Sequence, residues 1–326
     1  MSQRSTNIDK TLSKLRTSVA EGAFYEAQQM FKTVYARYRN KKAREDSYKL
    51  AEEGAILQLR EGQLTCGIEL AMLLVESYIE DSAAATQESL DRLLSVHSAF
   101  PEPETSAVPV CGRVDNAADG TGTASGWPVK ECVKFLMSGV KWIKRCGTPE
   151  QSQLLHRKAA DYIWKCLGWQ GFGWATTHYI RGDSMESFAA ALISCMAEGR
   201  ADEEDLFISR ACLQILAVAT PGRAAEQLES CEVLLGAISV FRGGLPLPET
   251  PLMHFTTFLL KALKANSREL EQMLREKYAP ALERDPMLET LIARVEQVYL
   301  GIEPPSRGGM GELIGDLMRG LFSAEL

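Results

Sequence analysis

GAFYEAQQMFKTVYARYRNKKAREDSYKLAEEGAILQLREGQLTCGIELAMLLVE, residues 22–76, decides the fold. Gly22 opens one helical pattern, with Ala27, Phe31, Val34 and Tyr38 at helical spacing. Leu50, Ile56, Leu57 and Leu59 lie in the next, and Gly62 stands before a third that is apolar around most of its circumference. Small residues fall where helices must approach closely, and nothing in the stretch alternates as a strand does. Helix after helix joined by Gly-marked turns is the pattern of an α-solenoid, whose stacked hairpins present a long surface to other proteins.

The same rhythm continues outward in both directions. Thr11 to Ala20 fits a short amphipathic helix, and Ser89 to Ser98 another, which stops at Phe100-Pro101. Helical patterns resume at Val129–Arg145 and Gln151–Leu167, with Thr148 as N-cap and Pro149 at the first helical position. Further helices are predicted over 174–180, 184–197, 205–218, 224–238, 252–265, 268–278 and 287–299, and a last one over 312–321. Asp183 and Asp202 read as N-terminal caps. The fold class is all-α, an α-solenoid of stacked antiparallel helical hairpins with about fourteen helices. One place allows an extended element. Gly243-Gly244, followed by Pro246 and Pro248, suits a small β-hairpin or an extended loop near 238–248.

Residues 101–127, PEPETSAVPVCGRVDNAADGTGTASGW, are poor in large apolar side chains and read as a flexible insertion. The chain is therefore expected to divide into an N-terminal half, 1–146, that contains this insertion, and a C-terminal half, 147–326.

Composition excludes several classes. A net charge of -7 over 326 residues argues against nonspecific nucleic-acid binding. No apolar stretch reaches the ~20 residues of a membrane span, and the polar N-terminus lacks a secretory signal. The eight cysteines form no CxxC pair and read as reduced core thiols of a cytosolic protein. His97, His156, His178 and His254 are far apart and lack metal-ligand spacing. Asp202-Glu-Glu-Asp205 sits at a helix start, where carboxylates favour the macrodipole. No cofactor is implied, and an all-helical enzyme is the least supported class.

Two surfaces stand out. Lys32, Arg37, Arg39, Lys41, Lys42 and Arg44 follow one another with no intervening acid, and Tyr35, Tyr38 and Tyr48 interleave with the stripe. Such a stripe suits a solvated helix face, an RNA surface or an acidic protein partner. In the C-terminal third, Phe255, Phe258, Leu259 and Leu263 form an apolar face beside the Pro-rich loop. The loop, Val240 to Leu247, is more apolar than the end of a solenoid allows unless something covers it.

Four segments, GAFYEAQQMFKTVYARY, EEGAILQLREGQLTCGIELAMLLVESY, PLMHFTTFLLKALKANSRELEQMLREKYAPALERDP and VEQVYLGIEPPSRGGMGELIGDLMRGLF, together resemble the Golgi-to-ER traffic protein four family. They keep the family's order between residues 11 and 322; residues 101–127 do not match. The resemblance implies a cytosolic scaffold, not an enzyme, that serves the targeting of tail-anchored membrane proteins. It implies a targeting ATPase docked on the N-terminal half, through Lys32, Arg37, Arg39, Lys41 and Lys42. It implies a ubiquitin-like adaptor held by the C-terminal half, through Val240, Phe241, Leu245, Leu247, Phe255, Phe258 and Leu259. A small co-chaperone would join through the adaptor, and in animals a large scaffold protein as well; neither nucleic acid nor direct membrane insertion is expected. The competing reading is a generic helical-repeat subunit of another cytosolic complex.

Overall fold

The computed structural model describes residues 2–102 and 127–302. Within them the chain is helical, with no strand among the described residues. It divides into two compact units, Met1–Cys166 and Leu167–Leu326. The class expected from the sequence, an all-α α-solenoid of stacked antiparallel helices, is the one observed. Most of the 101–127 insertion and the whole 312–321 helix lie outside the described residues.

The first unit contains α1 (Ser2–Ala20), α2 (Phe24–Asn40), α3 (Arg44–Arg60), α4 (Leu64–Glu80), α5 (Gln87–His97), α6 (Trp127–Cys146) and α7 (Pro149–Leu167). Trp127 and Pro128 thus open α6 rather than close a loop. Helices α2, α3 and α4 are each 17 residues long. Each of the first four helices is followed by a residue of positive φ, at Gly22, Lys42, Gly62 and Ser82, every twenty residues. At each of these turns the next amide reaches back to the last helical turn: Ala23 to the Ser18 carbonyl, Ala43 to Tyr38, Gln63 to Gln58 and Ala83 to Tyr78, at 2.8–3.0 Å. This bond satisfies a carbonyl that the helix end would leave orphaned and reverses the chain within three residues. Equal helices and equal turns make successive helices antiparallel neighbours.

Close approach is set by two glycines inside helices. A Cβ on Gly54 would lie 2.8 Å from Phe31, and one on Gly67 would lie 2.6 Å from the Leu59 side chain and 3.0 Å from its backbone nitrogen. Deeper in the unit Tyr78 packs on Trp142 with ring centroids 4.7 Å apart, and the Trp142 indole N–H donates to the Ala83 carbonyl at 2.7 Å. The start of α7 follows the sequence reading. Thr148 Oγ1 accepts from the Gln151 amide at 3.5 Å, and the Gln151 side chain accepts from the Thr148 amide at 3.0 Å.

The second unit contains a short 3-10 helix at Gly168–Gly171, then α8 (Phe172–Tyr179), α9 (Met185–Glu198), α10 (Glu204–Ala217), α11 (Ala224–Phe241), α12 (Pro251–Lys264), α13 (Arg268–Leu282), α14 (Pro286–Val295) and a π-helical turn, Glu296–Leu300. Helix α10 is its axis. It touches α9, α11, α12 and α14, and Ile208, Cys212, Leu213, Ile215 and Leu216 along it are buried.

Three sequence expectations are corrected here. The N-cap of α9 is Ser184, whose hydroxyl accepts from the Ser187 amide, and not Asp183. Asp202 sits in a 3-10 turn before α10 and pairs with Arg200 instead of capping the helix. No hairpin forms at 238–248. Helix α11 runs on to Phe241, and Gly243 and Gly244, both at positive φ, end it with a Gly244 amide bond to the Ser239 carbonyl at 2.9 Å. The two glycines serve a helix end, and Pro246 and Pro248 beyond them have no N–H to give a ladder.

Gly236 is exposed in the middle of α11 with nothing within 4 Å of an added Cβ. Gly236→Ala is therefore expected to stabilise the protein by about 0.5–1 kcal/mol. Gly67→Ala, the same change in the tight α3–α4 contact, is expected to destabilise it by about 1–3 kcal/mol through overpacking against backbone. Urea unfolding of the two variants measures both.

Candidate interaction surfaces

The basic stripe at the end of α2 separates into two kinds of cation. Arg39 is held inside. It pairs with Asp81 and, at 3.0 Å, with Glu80, while Asp81 also accepts from the Tyr48 hydroxyl at 2.6 Å and lies 3.4 Å from Arg44. Burial alone would raise the Asp81 pKa; the hydrogen bonds from Arg39 and Tyr48 outweigh it and hold it below the usual carboxylate range. Lys32 pairs with Glu69 of α4. Arg37, Lys41 and Lys42, by contrast, are exposed and have no ion pair among the described residues. The tyrosines do not form a stacking platform. Tyr48 is buried edge-on against Tyr78, and the Tyr35 hydroxyl shares a 2.5 Å hydrogen bond with Ser77. That removes the arrangement an RNA surface needs.

Lys42 carries a further signal. It occupies the positive-φ position, at φ 55°, that glycine fills at the turns before and after it. An L-residue is strained there by roughly 1–2 kcal/mol, so a lysine is not the choice that stability alone favours. It stands beside Lys41 where the chain reverses, so the two cations project from the tip of a hairpin.

A groove of about 430 Å³ on the same unit is lined by Lys32, Ile68, Met72, Trp127, Glu131 and Lys134. Sequence reasoning missed it, because Trp127 belonged to the insertion in that reading. Tyr25 and Met30, exposed on α2, were missed as well. Their only sequence signal is apolar residues outside the Ala27, Phe31, Val34 set.

In the second unit the apolar candidates also split. Val240, Phe241 and Leu245 are 73%, 50% and 59% exposed at the end of α11 and in the turn after it. Leu247 is half-buried. Arg242 anchors this turn by pairing with Glu204 at the start of α10. Phe258 is 40% exposed on the outer side of α12, with the Lys261 ammonium 5.4 Å from its ring centroid. Phe255 and Leu259 are corrected: both are fully buried in the core, Phe255 edge-on to Tyr278. They fall on the inward side of α12, so they hold the unit together and do not offer a surface.

No group of described residues has the makings of a metal site. Asp205, in the acidic run at the start of α10, is buried and held by the Arg284 guanidinium at 2.7 and 3.2 Å. Burial pushes the Cys132 and Cys231 thiols well above their ordinary range, as expected of core thiols without nucleophilic character. No described helix is long and apolar enough to cross a membrane.

Stacked antiparallel helices, with an exposed cationic hairpin tip in one unit and exposed apolar side chains in the other, define an all-α helical-repeat protein. The chain belongs to the Golgi to ER traffic protein 4 family, whose profile matches residues 41–322. It is 26% identical to Protein GET4 of Arabidopsis thaliana over 313 residues, covering 94% of this chain and 95% of that one. It is 26% identical to the human Golgi to ER traffic protein 4 homolog over 318 residues, covering 97% and 88%. The crystal structure of C. therm. Get4 superposes with a TM-score of 0.73 at 22% identity over 95% of each chain, a likeness of fold.

Arg39→Ala is expected to cost about 1–3 kcal/mol of stability, because it strips a partially buried carboxylate of its main partner. Arg37→Ala and Lys41→Ala should stay within about 0.5 kcal/mol of the parent, and Lys42→Gly should gain about 0.5–1 kcal/mol. Denaturant midpoints of the four variants check the division of the stripe.

Proposed function

We propose that the chain is a non-enzymatic cytosolic scaffold in the targeting of tail-anchored membrane proteins to the ER. In this reading the N-terminal half docks the targeting ATPase through Arg37, Lys41 and Lys42, with Lys32 and Arg39 setting the position of α2 behind them. The C-terminal half holds a ubiquitin-like adaptor through Val240, Phe241, Leu245 and Phe258, with Leu247 at the edge. A co-chaperone joins through the adaptor and not directly. Family membership supports the role in traffic to the ER. The observation that supports the bridging is a pair of surfaces of different chemistry: Arg37, Lys41 and Lys42, exposed at and near one hairpin tip of the first unit with no ion pair among the described residues, and Val240, Phe241, Leu245 and Phe258, exposed on the second.

The two surfaces fit two lifetimes. Exposed charges accelerate encounter and are screened by salt, which suits a partner that comes and goes. Exposed aromatic and aliphatic side chains are covered in a lasting interface. A client with an apolar span must pass between carriers without standing in water, and a bridge that holds donor and acceptor together raises their effective concentration without chemistry of its own.

Reversing Arg37, Lys41 and Lys42 to Glu should weaken ATPase binding tenfold or more while the helical circular dichroism stays unchanged. The parent interaction should weaken between about 50 and 300 mM salt as the Debye length shortens. Phe241→Asp with Leu245→Asp should abolish adaptor co-purification and leave ATPase binding intact, since an unpaired carboxylate in an apolar interface is costly by several kcal/mol. Co-purification from cytosol that returns neither partner would favour the competing reading, a helical subunit of another complex.

A further inference from the structure

Carboxylates meet at the end of the second unit with too few cations among them. Glu271 of α13 is 2% exposed, and its Oε1 has no hydrogen-bond partner among the described residues. It faces Glu296, 8% exposed, the first residue of the π-helical turn. Arg275, one turn along α13, donates to Glu296 Oε1 at 2.6 Å and pairs with Glu289 of α14. That guanidinium is thus bonded to two carboxylates, and Glu271 has no ion pair among the described residues. Two carboxyls in hydrogen-bonding contact need a proton between them, because two carboxylates have only acceptors to offer.

The cations nearest in the surrounding helices are engaged elsewhere, Lys277 of α13 over the Tyr278 ring. On α12, Lys261 lies over Phe258, Lys264 pairs with Glu232 at 2.6 Å, and His254 sits 6.3 Å from the Phe258 ring. On α14, Arg294 donates to Gln297. On α13, Arg268 donates to the Leu300 carbonyl. Burial first, then the hydrogen bond and charge of Glu296, push the Glu271 pKa up to about 8, with Arg275 opposing.

We propose that Glu271 keeps its proton and donates it to Glu296, and that this bond latches the Glu296–Leu300 turn onto α13. Release of the proton to solvent leaves two buried carboxylates facing each other, and the turn loosens. The effect reaches beyond the turn. Tyr299 donates to the Ala224 carbonyl at 3.1 Å. With Val298 it walls an open groove of about 700 Å³ that Leu228, Leu263 and Lys264 also line. The latch therefore sets the shape of that groove, whatever partner the unit holds. A carboxyl whose folded pKa lies above its unfolded value, about 4.3, contributes stability that is complete below that value and is lost as pH rises through the folded pKa.

Hydrogen exchange of amides 296–302 in the full-length protein, corrected for the intrinsic pH dependence of exchange, tests the latch at pH 6.5 and 8.5. Local opening of the parent should increase on the order of tenfold or more between the two, as linkage to a group titrating near 8 requires. Glu271→Gln supplies a permanent N–H donor to Glu296 and should leave the opening unchanged with pH. Glu296→Gln, the reciprocal variant, should do the same. Equal corrected exchange of the parent at both pH values overturns the proposal, and so does a parent response that both variants reproduce.

Discussion

Trp142 is the contact on which the first unit depends. Its indole N–H bonds to the carbonyl of Ala83, and its ring lies on Tyr78, which in turn meets Tyr48 edge-on. Ala83 is also the residue whose amide closes the turn after α4. One residue therefore joins the turn, α4 and α6. Two further bonds run alongside, from the Ala85 amide to the Cys146 carbonyl and from the Gln151 side chain to the Ala85 carbonyl. Helices before and after residues 103–126 are in this way tied directly to each other. A buried indole that lost its acceptor would be left with an unsatisfied donor, so the bond fixes position as well as adding stability.

Asp81 plays a related part for the surface. By collecting Arg39, Tyr48 and Arg44 at one carboxylate it decides which cations of α2 are structural and which remain for a partner. The exposed charge of the hairpin tip is what is left after this selection, and Lys42 belongs to it at some expense in backbone strain. In the second unit α12 makes the corresponding selection among apolar residues. It turns Phe255, edge-on to Tyr278 of α13, and Leu259 into the core and leaves Phe258 outside.

The helical class, the start at Thr148-Pro149 and the positions of most helices were legible because each rests on periodicity or on a local cap. The twenty-residue rhythm was half visible. Gly22 and Gly62 advertise their turns, whereas Lys42 and Ser82 adopt the same backbone conformation with residues that carry no such signal. The Gly243-Gly244 pair was misread because two glycines permit a hairpin and a helix end alike. What separates them is the helical pattern running three residues further, to Phe241. The surfaces were the least legible. Arg37 and Arg39 look equivalent until Asp81 is folded back against one of them, some forty residues along the chain. Phe255 and Phe258 differ only in which neighbours their helix acquires. Such differences are set by tertiary packing, and local sequence does not contain them.

The even spacing of the turns at 22, 42, 62 and 82 has a consequence for how the chain is made. Each helix finds its first neighbour about twenty residues away, so the early contacts of the first unit are nearly all short in sequence separation. Structures of that kind fold fast, since little loop entropy must be lost before a contact forms. During synthesis, a hairpin is ready to dock as soon as its second helix has left the ribosome, and its apolar side waits only for the next twenty residues to arrive. Growth in equal steps thus limits how much uncovered apolar surface a nascent chain displays at any moment.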